Sequence, residues 1–135
     1  MQNKSLTQDY LFRCQNRLAA LNVLYERKSW ADVVRESQEI VELALKALLY
    51  FCKIEIPRIH DVGDILLDNQ SLLPQEIQPH CEKLSEVSKE LRRDRELAFY
   101  GSTDLTPSEF YKEKDAKHAK DSAEWVVQIV SVIGE

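Results

Sequence analysis

The sequence predicts an all-α protein, an up-and-down four-helix bundle with one additional short helix. Three observations predict it. The 135 residues include only three Gly and four Pro, fewer than half of the roughly 16 that average usage would give, which disfavours a fold rich in tight turns. Apolar residues recur at steps of three and four along four long segments, as they do on one face of a helix. The connections between these segments are short, and long helices joined in this way pack with near-parallel axes.

The first two helices are predicted from about Leu6 to Arg27 and from about Trp30 to Ile54. Ser5 or Thr7 is a candidate capping residue for the first. The second becomes apolar almost all round toward its end, which is typical of a central helix or of a subunit interface. The predicted inward-facing residues are Leu6, Tyr10, Cys14, Leu18, Leu21 and Tyr25 on the first helix, and Val33, Val34, Ile40, Val41, Ala44, Leu45, Ala47, Leu48 and Leu49 on the second.

A connector and a short helix follow. Pro57 is expected to stop the second helix, because proline lacks the backbone N–H that a helix needs. Asp61 is a plausible cap for a short helix that reaches Leu67 or Asp68. The sequence contains no internal repeat, low-complexity tract or interdomain linker, so we expect a single domain over residues 1–135.

The last two long helices are predicted on either side of a glycine. One runs from Pro74, which suits a first helical turn, to about Phe99, with Tyr100-Gly101-Ser102 ending it. The other is entered through Pro107-Ser108-Glu109, a second helix-start pattern. The predicted inward-facing residues are Ile77, Cys81, Leu84, Val87, Leu91 and Ala98 on the third helix, and Ala116, Ala119, Ala123, Val126 or Val127, Val130 and Ile133 on the last.

Charge, cysteine content and hydropathy exclude several classes of protein. Lys and Arg number 18 against 23 Asp and Glu, a net charge of −5, which excludes a generally basic nucleic-acid coat but allows a local basic patch. Cys14, Cys52 and Cys81 are widely spaced, which favours reduced, mostly buried thiols in a cytoplasmic protein. No apolar segment approaches the length of about 20 residues that a membrane span needs, so no membrane association is expected.

No metal, cofactor or catalytic residue is predicted from the motifs alone. His60, Asp61 and Asp64 are close in sequence, but His80 and His118 each stand alone on their helix patterns. We therefore interpret the histidine–aspartate stretch as a packed loop with a helix cap rather than as a metal site. The sequence also lacks a Gly-rich phosphate loop and a G-x-S-x-G elbow.

The most distinctive polar cluster contains Arg92, Arg93 and Arg95. Guanidinium groups suit phosphate, so these three residues are candidate nucleotide or phosphate ligands. Glu90 and two further acidic residues are interleaved with them, and a solvated ion-pair face is the alternative interpretation.

Three blocks, in order along the chain, resemble the HEPN domain family, named for nucleotide binding in higher eukaryotes and prokaryotes. They are Arg35 to Leu49, which contains Lys46-Ala47-Leu48-Leu49, then Ile56 to Leu66, which contains Pro57-Arg58-Ile59-His60-Asp61, then Arg95 to Gly101 followed by Pro107 to Ala116. The resemblance spans roughly residues 8 to 133. It implies a helical bundle of four or five helices that usually dimerises. Many members are metal-independent ribonucleases whose active motif is an Arg, four to six residues, and a His.

The chain departs from this motif. No Arg is followed by His at the required spacing, and the His position falls on Tyr100 when counted from Arg95, or on Ala98 when counted from Arg93. In one subfamily the motif is Arg, four residues, His, one residue and Tyr, and a partner nucleotidyltransferase attaches AMP to the Tyr. The resemblance thus implies that Tyr100 is a candidate modification or cleft residue. The alternative is an aromatic ring that packs against the helix end.

The resemblance and the missing His together predict a non-catalytic, dimeric HEPN-type bundle that binds a nucleotide or a nucleotidyltransferase, within a toxin–antitoxin-like pair. Two alternatives stay open. One is a diverged metal-independent HEPN ribonuclease that acts on RNA, in which the three arginines bind phosphate and Tyr100 takes the place of His. The other is a structural oligomer, assembled through the apolar second helix, with no nucleotide role.

Overall fold

The computed structural model describes residues 3–56, 61–93 and 105–134. Regular structure within these ranges is entirely helical, which confirms the predicted all-α class. None of these helices combines the length and the apolar character that a membrane span requires. The helices are α1 (Asn3–Glu26), α2 (Trp30–Phe51), α3 (Val62–Asp68), α4 (Cys81–Arg93), α5 (Pro107–Phe110) and α6 (Glu113–Val130), with short 3₁₀ turns at Gln70–Leu72, Gln78–His80 and Ser131–Gly134.

Helices α1 and α2 form an antiparallel pair. Near the start of α1, the Thr7 hydroxyl donates to the carbonyl of Ala47 at 3.5 Å. Farther along α1, the Cys14 thiol lies 3.9 Å from the carbonyl of Ile40. The partner on α2 moves backward as α1 advances, so the two helices run in opposite directions. The three residues between them leave room only for such a hairpin.

Helices α4 and α6 are antiparallel by the same criterion. Lys83, near the start of α4, lies over the ring of Trp125, whereas Glu90, near the end of α4, meets His118. The four long helices therefore alternate in direction if α6 also opposes α1.

The start of α6 lies against the end of α1, where the Tyr25 hydroxyl donates to the Glu113 carboxylate at 3.1 Å. The 3₁₀ turn after α6 packs back onto α1. The long helices thus run up, down, up and down, as predicted. Helix α2 lies at the centre, in contact with each of the five other helices that the structure describes. The nine residues predicted to face inward on α2 are buried, which follows from its wide apolar stripe.

Helix α4 begins later than predicted. Residues 75–77 form a turn and Gln78–His80 a 3₁₀ turn, so the helix starts at Cys81 rather than at Pro74. Pro79 gives the physical reason, because proline has no N–H to donate and disfavours α geometry in the preceding residue. The inward-facing residues predicted here, Ile77, Cys81, Leu84, Val87 and Leu91, are buried. The predicted end near Phe99, with Ala98 and residues 100–102, lies outside the described residues.

The last predicted helix is two helices. Thr106 caps α5 in a capping box with Glu109, which confirms the predicted start. The chain then becomes extended at Tyr111, with φ −88° and ψ 135°, and α6 starts at Glu113. The Tyr111 side chain is buried, so the break directs an aromatic ring into the core. All predicted inward-facing residues of α6 and the turn after it are buried.

Helix α1 differs from its prediction in two respects. It already begins at Asn3, so Ser5 and Thr7 lie inside the helix rather than capping it. Its apolar stripe is only partly covered, since Cys14 and Leu21 are buried whereas Leu6 is exposed. The apolar stripe of α1 therefore packs against one side of the bundle, and the other faces of the helix are exposed to solvent.

The C-terminus of α2 is a Schellman motif, and the helix ends at Phe51 rather than at the predicted Ile54. The N–H of Ile54 donates to the carbonyl of Leu49 at 2.9 Å, and that of Lys53 to Tyr50 at 3.0 Å. These bonds satisfy carbonyls at the helix end and require a left-handed residue at the position of Lys53. Lys53 adopts this conformation with φ 58°, which residues that carry a Cβ reach only at a cost.

We expect Lys53→Gly to raise the free energy of unfolding by about 0.5 to 1 kcal/mol, because glycine adopts positive φ without a Cβ clash. Chemical denaturation monitored by circular dichroism measures the change. The matched control is Lys117→Gly, which places glycine inside α6 and should cost about 1 kcal/mol. A loss of stability in Lys53→Gly would contradict the strain argument.

Candidate functional site

Arg92 and Arg93 form the last turn of α4, and both are exposed. Neither forms a hydrogen bond or ion pair with any residue in the described ranges. Arg95 and Tyr100 lie outside those ranges. The structure therefore describes two of the four predicted site residues, Arg92 and Arg93, and both lie at the surface.

Two other arginines hold α1 and α2 together. The Arg17 guanidinium donates to Glu36 at 2.7 Å and to Glu39 at 2.6 Å. Arg35, on α2 itself, donates to Glu39 at 2.8 Å. These groups are partly buried, so the network connects the helices where solvent screening is reduced. Arg17 and Arg35 are thus engaged in structure, in contrast to Arg92 and Arg93.

This network should make stability depend on pH in the acid range. Burial by itself would raise the pKa of Glu39, but the hydrogen bonds from Arg35 and Arg17 outweigh it and lower the pKa below the ordinary glutamate value of 4.5. A carboxyl with a lowered folded-state pKa contributes stability above its unfolded pKa and loses it as the pH falls through the folded value. We expect the free energy of unfolding to decline below about pH 4.5, and Glu39→Gln to flatten that decline. Denaturation titrations at several pH values test this. Glu76→Gln, at an exposed position, is the control. An equal effect of the two variants would contradict the assignment of the acid-range decline to Glu39.

A groove runs between α4 and α6, with a volume of about 530 Å³. We call it the α4–α6 groove. Its lining comes from two helices that are distant in sequence, so no local pattern could have revealed it. The side chains that give it its chemistry are Lys83, Glu86, Glu90, His118, Asp121 and Trp125.

His118 and Glu90 form a pair across this groove. The imidazole Nε2 and the Glu90 Oε1 are 2.9 Å apart. A second cavity of about 380 Å³ shares both residues and extends toward Tyr111 and Lys114. His118 stands alone on its own helix pattern in the sequence, which gives no sign of this pair. Its partner comes from α4, 28 residues earlier, a separation at which sequence spacing carries no signal.

The α4–α6 groove is acidic and has an aromatic wall. Glu86, Glu90 and Asp121 contribute carboxylates, and Lys83 is the one lysine among the described residues that line it. The Lys83 ammonium lies 4.3 Å from the centre of the Trp125 ring, a cation–π contact. Carboxylates repel phosphate, so the groove itself does not suit a nucleotide's phosphate groups. Arg92 and Arg93, at the end of α4, remain the phosphate candidates.

The histidine–aspartate stretch has a structural role in its described part. The Asp61 carboxylate accepts from the N–H of Gly63 at 2.8 Å and caps α3, as predicted. Lys89 of α4 donates to Asp64 and lies 3.8 Å from the Asp61 carboxylate. His60 lies outside the described residues. Within the described ranges, no three His, Cys, Asp or Glu side chains are grouped to hold a metal ion.

The three thiols are poor nucleophiles. Burial raises the pKa of Cys14 to about 11, and it also raises the pKa of Cys52 and of Cys81. Each stays protonated near neutral pH, whereas nucleophilic cysteines need a lowered pKa. Cys14 and Cys81 are buried as predicted, Cys52 is half-buried, and all three are free.

Comparison with known protein families shows which family the chain matches. A family model described as the HEPN domain matches residues 7–133, which is nearly the whole chain. No curated protein and no solved structure matches the chain.

Proposed function

Because the chain belongs to the HEPN domain family, we propose that it is a non-catalytic, dimeric bundle that binds a nucleotide at the C-terminal end of α4. The observation that carries this proposal is the absence of any Arg followed by His at four to six residues. Loss of a general base typically lowers a rate by about 10²- to 10⁴-fold. The arginines that suit phosphate are retained, so binding without cleavage is the simplest consequence.

The exposed positions of Arg92 and Arg93 support this proposal. Both residues are exposed and have no ion pair among the described residues, and a guanidinium group can hold two phosphate oxygens at once. Arg95 and Tyr100 continue the same segment, and we include them as a third phosphate ligand and as a cleft or modification residue. No metal or cofactor is part of the proposal.

Thermal unfolding in the presence of a panel of mononucleotides tests nucleotide binding. A ligand that binds only the folded state stabilises it by RT ln(1 + [L]/Kd), about 2.7 kcal/mol at a hundredfold excess over Kd. We expect one or more nucleotides to raise the unfolding temperature, and Arg92→Ala with Arg93→Ala to abolish the shift. Arg27→Ala, an exposed arginine at the end of α1, is the matched control. A flat response across the panel would contradict the proposal and favour the structural oligomer.

The partners belong to the same proposal. A nucleotidyltransferase that attaches AMP to Tyr100, in a toxin–antitoxin-like pair, is what the family resemblance implies. Three free cysteines support a reducing, cytoplasmic setting. Native mass spectrometry of the protein isolated from its host reports subunit number, bound protein and adducts together. We expect a dimer with a second protein or an AMP-sized adduct on Tyr100, whereas an unmodified monomer without a partner would contradict this part.

A ribonuclease with a diverged site is the second candidate, and the His118–Glu90 pair is the observation that favours it. A carboxylate that holds one imidazole nitrogen leaves the other available to accept a proton from a 2′-hydroxyl. Helical spacing places Arg93 one turn beyond Glu90 on the same side of α4. His118 could thus replace the missing His in place of Tyr100.

RNA cleavage in the presence of a metal chelator separates the two candidates. Cleavage that falls by about 10²-fold or more in His118→Ala, but not in His80→Ala, would establish the ribonuclease. Intact RNA with the unmodified protein would exclude it and leave nucleotide binding as the remaining candidate.

A further inference from the structure

The α4–α6 groove has features that suit a cationic ligand. Glu86 is exposed and forms no ion pair within the described ranges, so its charge is available. Glu90 and Asp121 add two more carboxylates along the same groove, although Glu90 already contacts His118 at 2.9 Å and Asp121 forms an ion pair with Lys117 at 2.8 Å. Trp125 is half-buried and offers a ring face to the groove. Carboxylates beside an indole face are the environment in which a guanidinium both pairs and stacks.

The groove also contains a cation of the protein itself. The Lys83 ammonium occupies the face of Trp125 at 4.3 Å. It makes no ion pair with the carboxylates of the groove, and its long flexible side chain lies largely in solvent. Lys83 thus occupies the position that a stronger cationic ligand would take, and it can swing aside at little cost.

We propose that the α4–α6 groove binds an extended segment of a partner protein that carries an Arg-x-Arg pair, with one guanidinium on Trp125. Glu86 and Glu90 are four residues apart, about 6 Å along the helix axis. Alternate side chains of an extended peptide are about 6.6 Å apart on one face. The spacing of the two carboxylates therefore matches that of two arginines separated by one residue. This inference is independent of the proposed nucleotide site at Arg92 and Arg93.

The test uses the full chain and a capped, fluorescently labelled Gly-Arg-Gly-Arg-Gly peptide, with binding followed by anisotropy. Glu86→Gln should weaken binding about fivefold, and Trp125→Ala about tenfold. Added salt should weaken it further, because exposed charges are screened. Asp68→Asn, which removes the same charge from an exposed position on α3, is the matched control and should leave the affinity unchanged. Glu86 is exposed, so its variant tests the groove even if Trp125→Ala fails to fold.

The decisive result is whether Lys83→Ala strengthens or weakens peptide binding. Lys83→Ala removes a competitor for Trp125 and should tighten peptide binding about two- to fivefold. Weaker peptide binding in this variant would overturn the proposal, because it would make Lys83 a ligand rather than a competitor. Equal affinities in the wild type, Glu86→Gln and Trp125→Ala would also overturn it. Displacement of the peptide by a short oligonucleotide, with loss of oligonucleotide binding in Lys83→Ala, would assign the groove to nucleic acid instead.

Discussion

Replacement of Leu48 by alanine is expected to lower the free energy of unfolding by about 3 kcal/mol, within the range of about 2 to 5 kcal/mol for buried leucines. Leu48 has no exposed surface and lies on α2, which contacts every other helix in the described ranges. Its loss removes apolar contacts and leaves a cavity that a close-packed core fills only in part. A domain of this kind is stable by about 5 to 15 kcal/mol in total, so the variant should stay folded but melt well below the wild type.

Denaturant unfolding, monitored by circular dichroism, measures this effect. The control is Leu72→Ala, whose side chain is 61% exposed, and its change should stay within about 0.5 kcal/mol. If the two variants lose the same amount, α2 is not the centre of the core. Leu48 belongs to the Lys46-Ala47-Leu48-Leu49 run that carries the family resemblance. This experiment therefore also asks whether that block is a packing motif.

Replacement of Gly63 by alanine is expected to cost about 1 to 3 kcal/mol, the usual range for overpacking. A Cβ at Gly63 would lie 2.8 Å from the Ser85 Oγ and 3.1 Å from the Ser85 carbonyl oxygen. At Gly63 the backbone of α3 thus lies too close to α4 to leave room for a side chain. This approach also positions Asp61 and Asp64 toward Lys89, so the histidine–aspartate block depends on it.

A double-mutant cycle with Ser85→Ala identifies the cause. The Ser85 hydroxyl is buried and has no hydrogen-bond partner among the described residues, so removing it alone should change stability little. In combination with Gly63→Ala it should restore part of the loss, while the contact with the Ser85 carbonyl remains. Gly134→Ala is the control, because its added methyl meets only the flexible end of Leu11. Strict additivity of Gly63→Ala and Ser85→Ala would contradict the steric explanation.

The family blocks have structural explanations where the structure describes them. Ala47, Leu48 and Leu49 are buried in the core, and Asp61 caps α3. The described residues of these two blocks therefore have a structural role.

The sequence by itself determined the helical class, the family and, outside α1, the inward-facing residues that the structure describes. These features depend on local spacing, because a period near 3.6 identifies the buried face whatever the helix packs against. Pro79 was a signal in the sequence for the late start of α4. The prediction placed the start at Pro74 instead, because the residues there also form a favourable helix-start pattern. The break at Tyr111 carried no comparable local signal, since it arises from burial of one aromatic ring.

Only the tertiary structure decided which polar residues meet. Sequence spacing cannot distinguish Arg17 and Arg35, which are paired with carboxylates, from Arg92 and Arg93, which are exposed and without ion pairs in the described part of the chain. It also could not bring Glu90 to His118, or Lys83 to Trp125. Contacts of this kind depend on how two helices pack side by side, and the packing is set by apolar residues elsewhere on those helices. The polar groups of the groove come together because the opposite faces of α4 and α6 are buried in the same core.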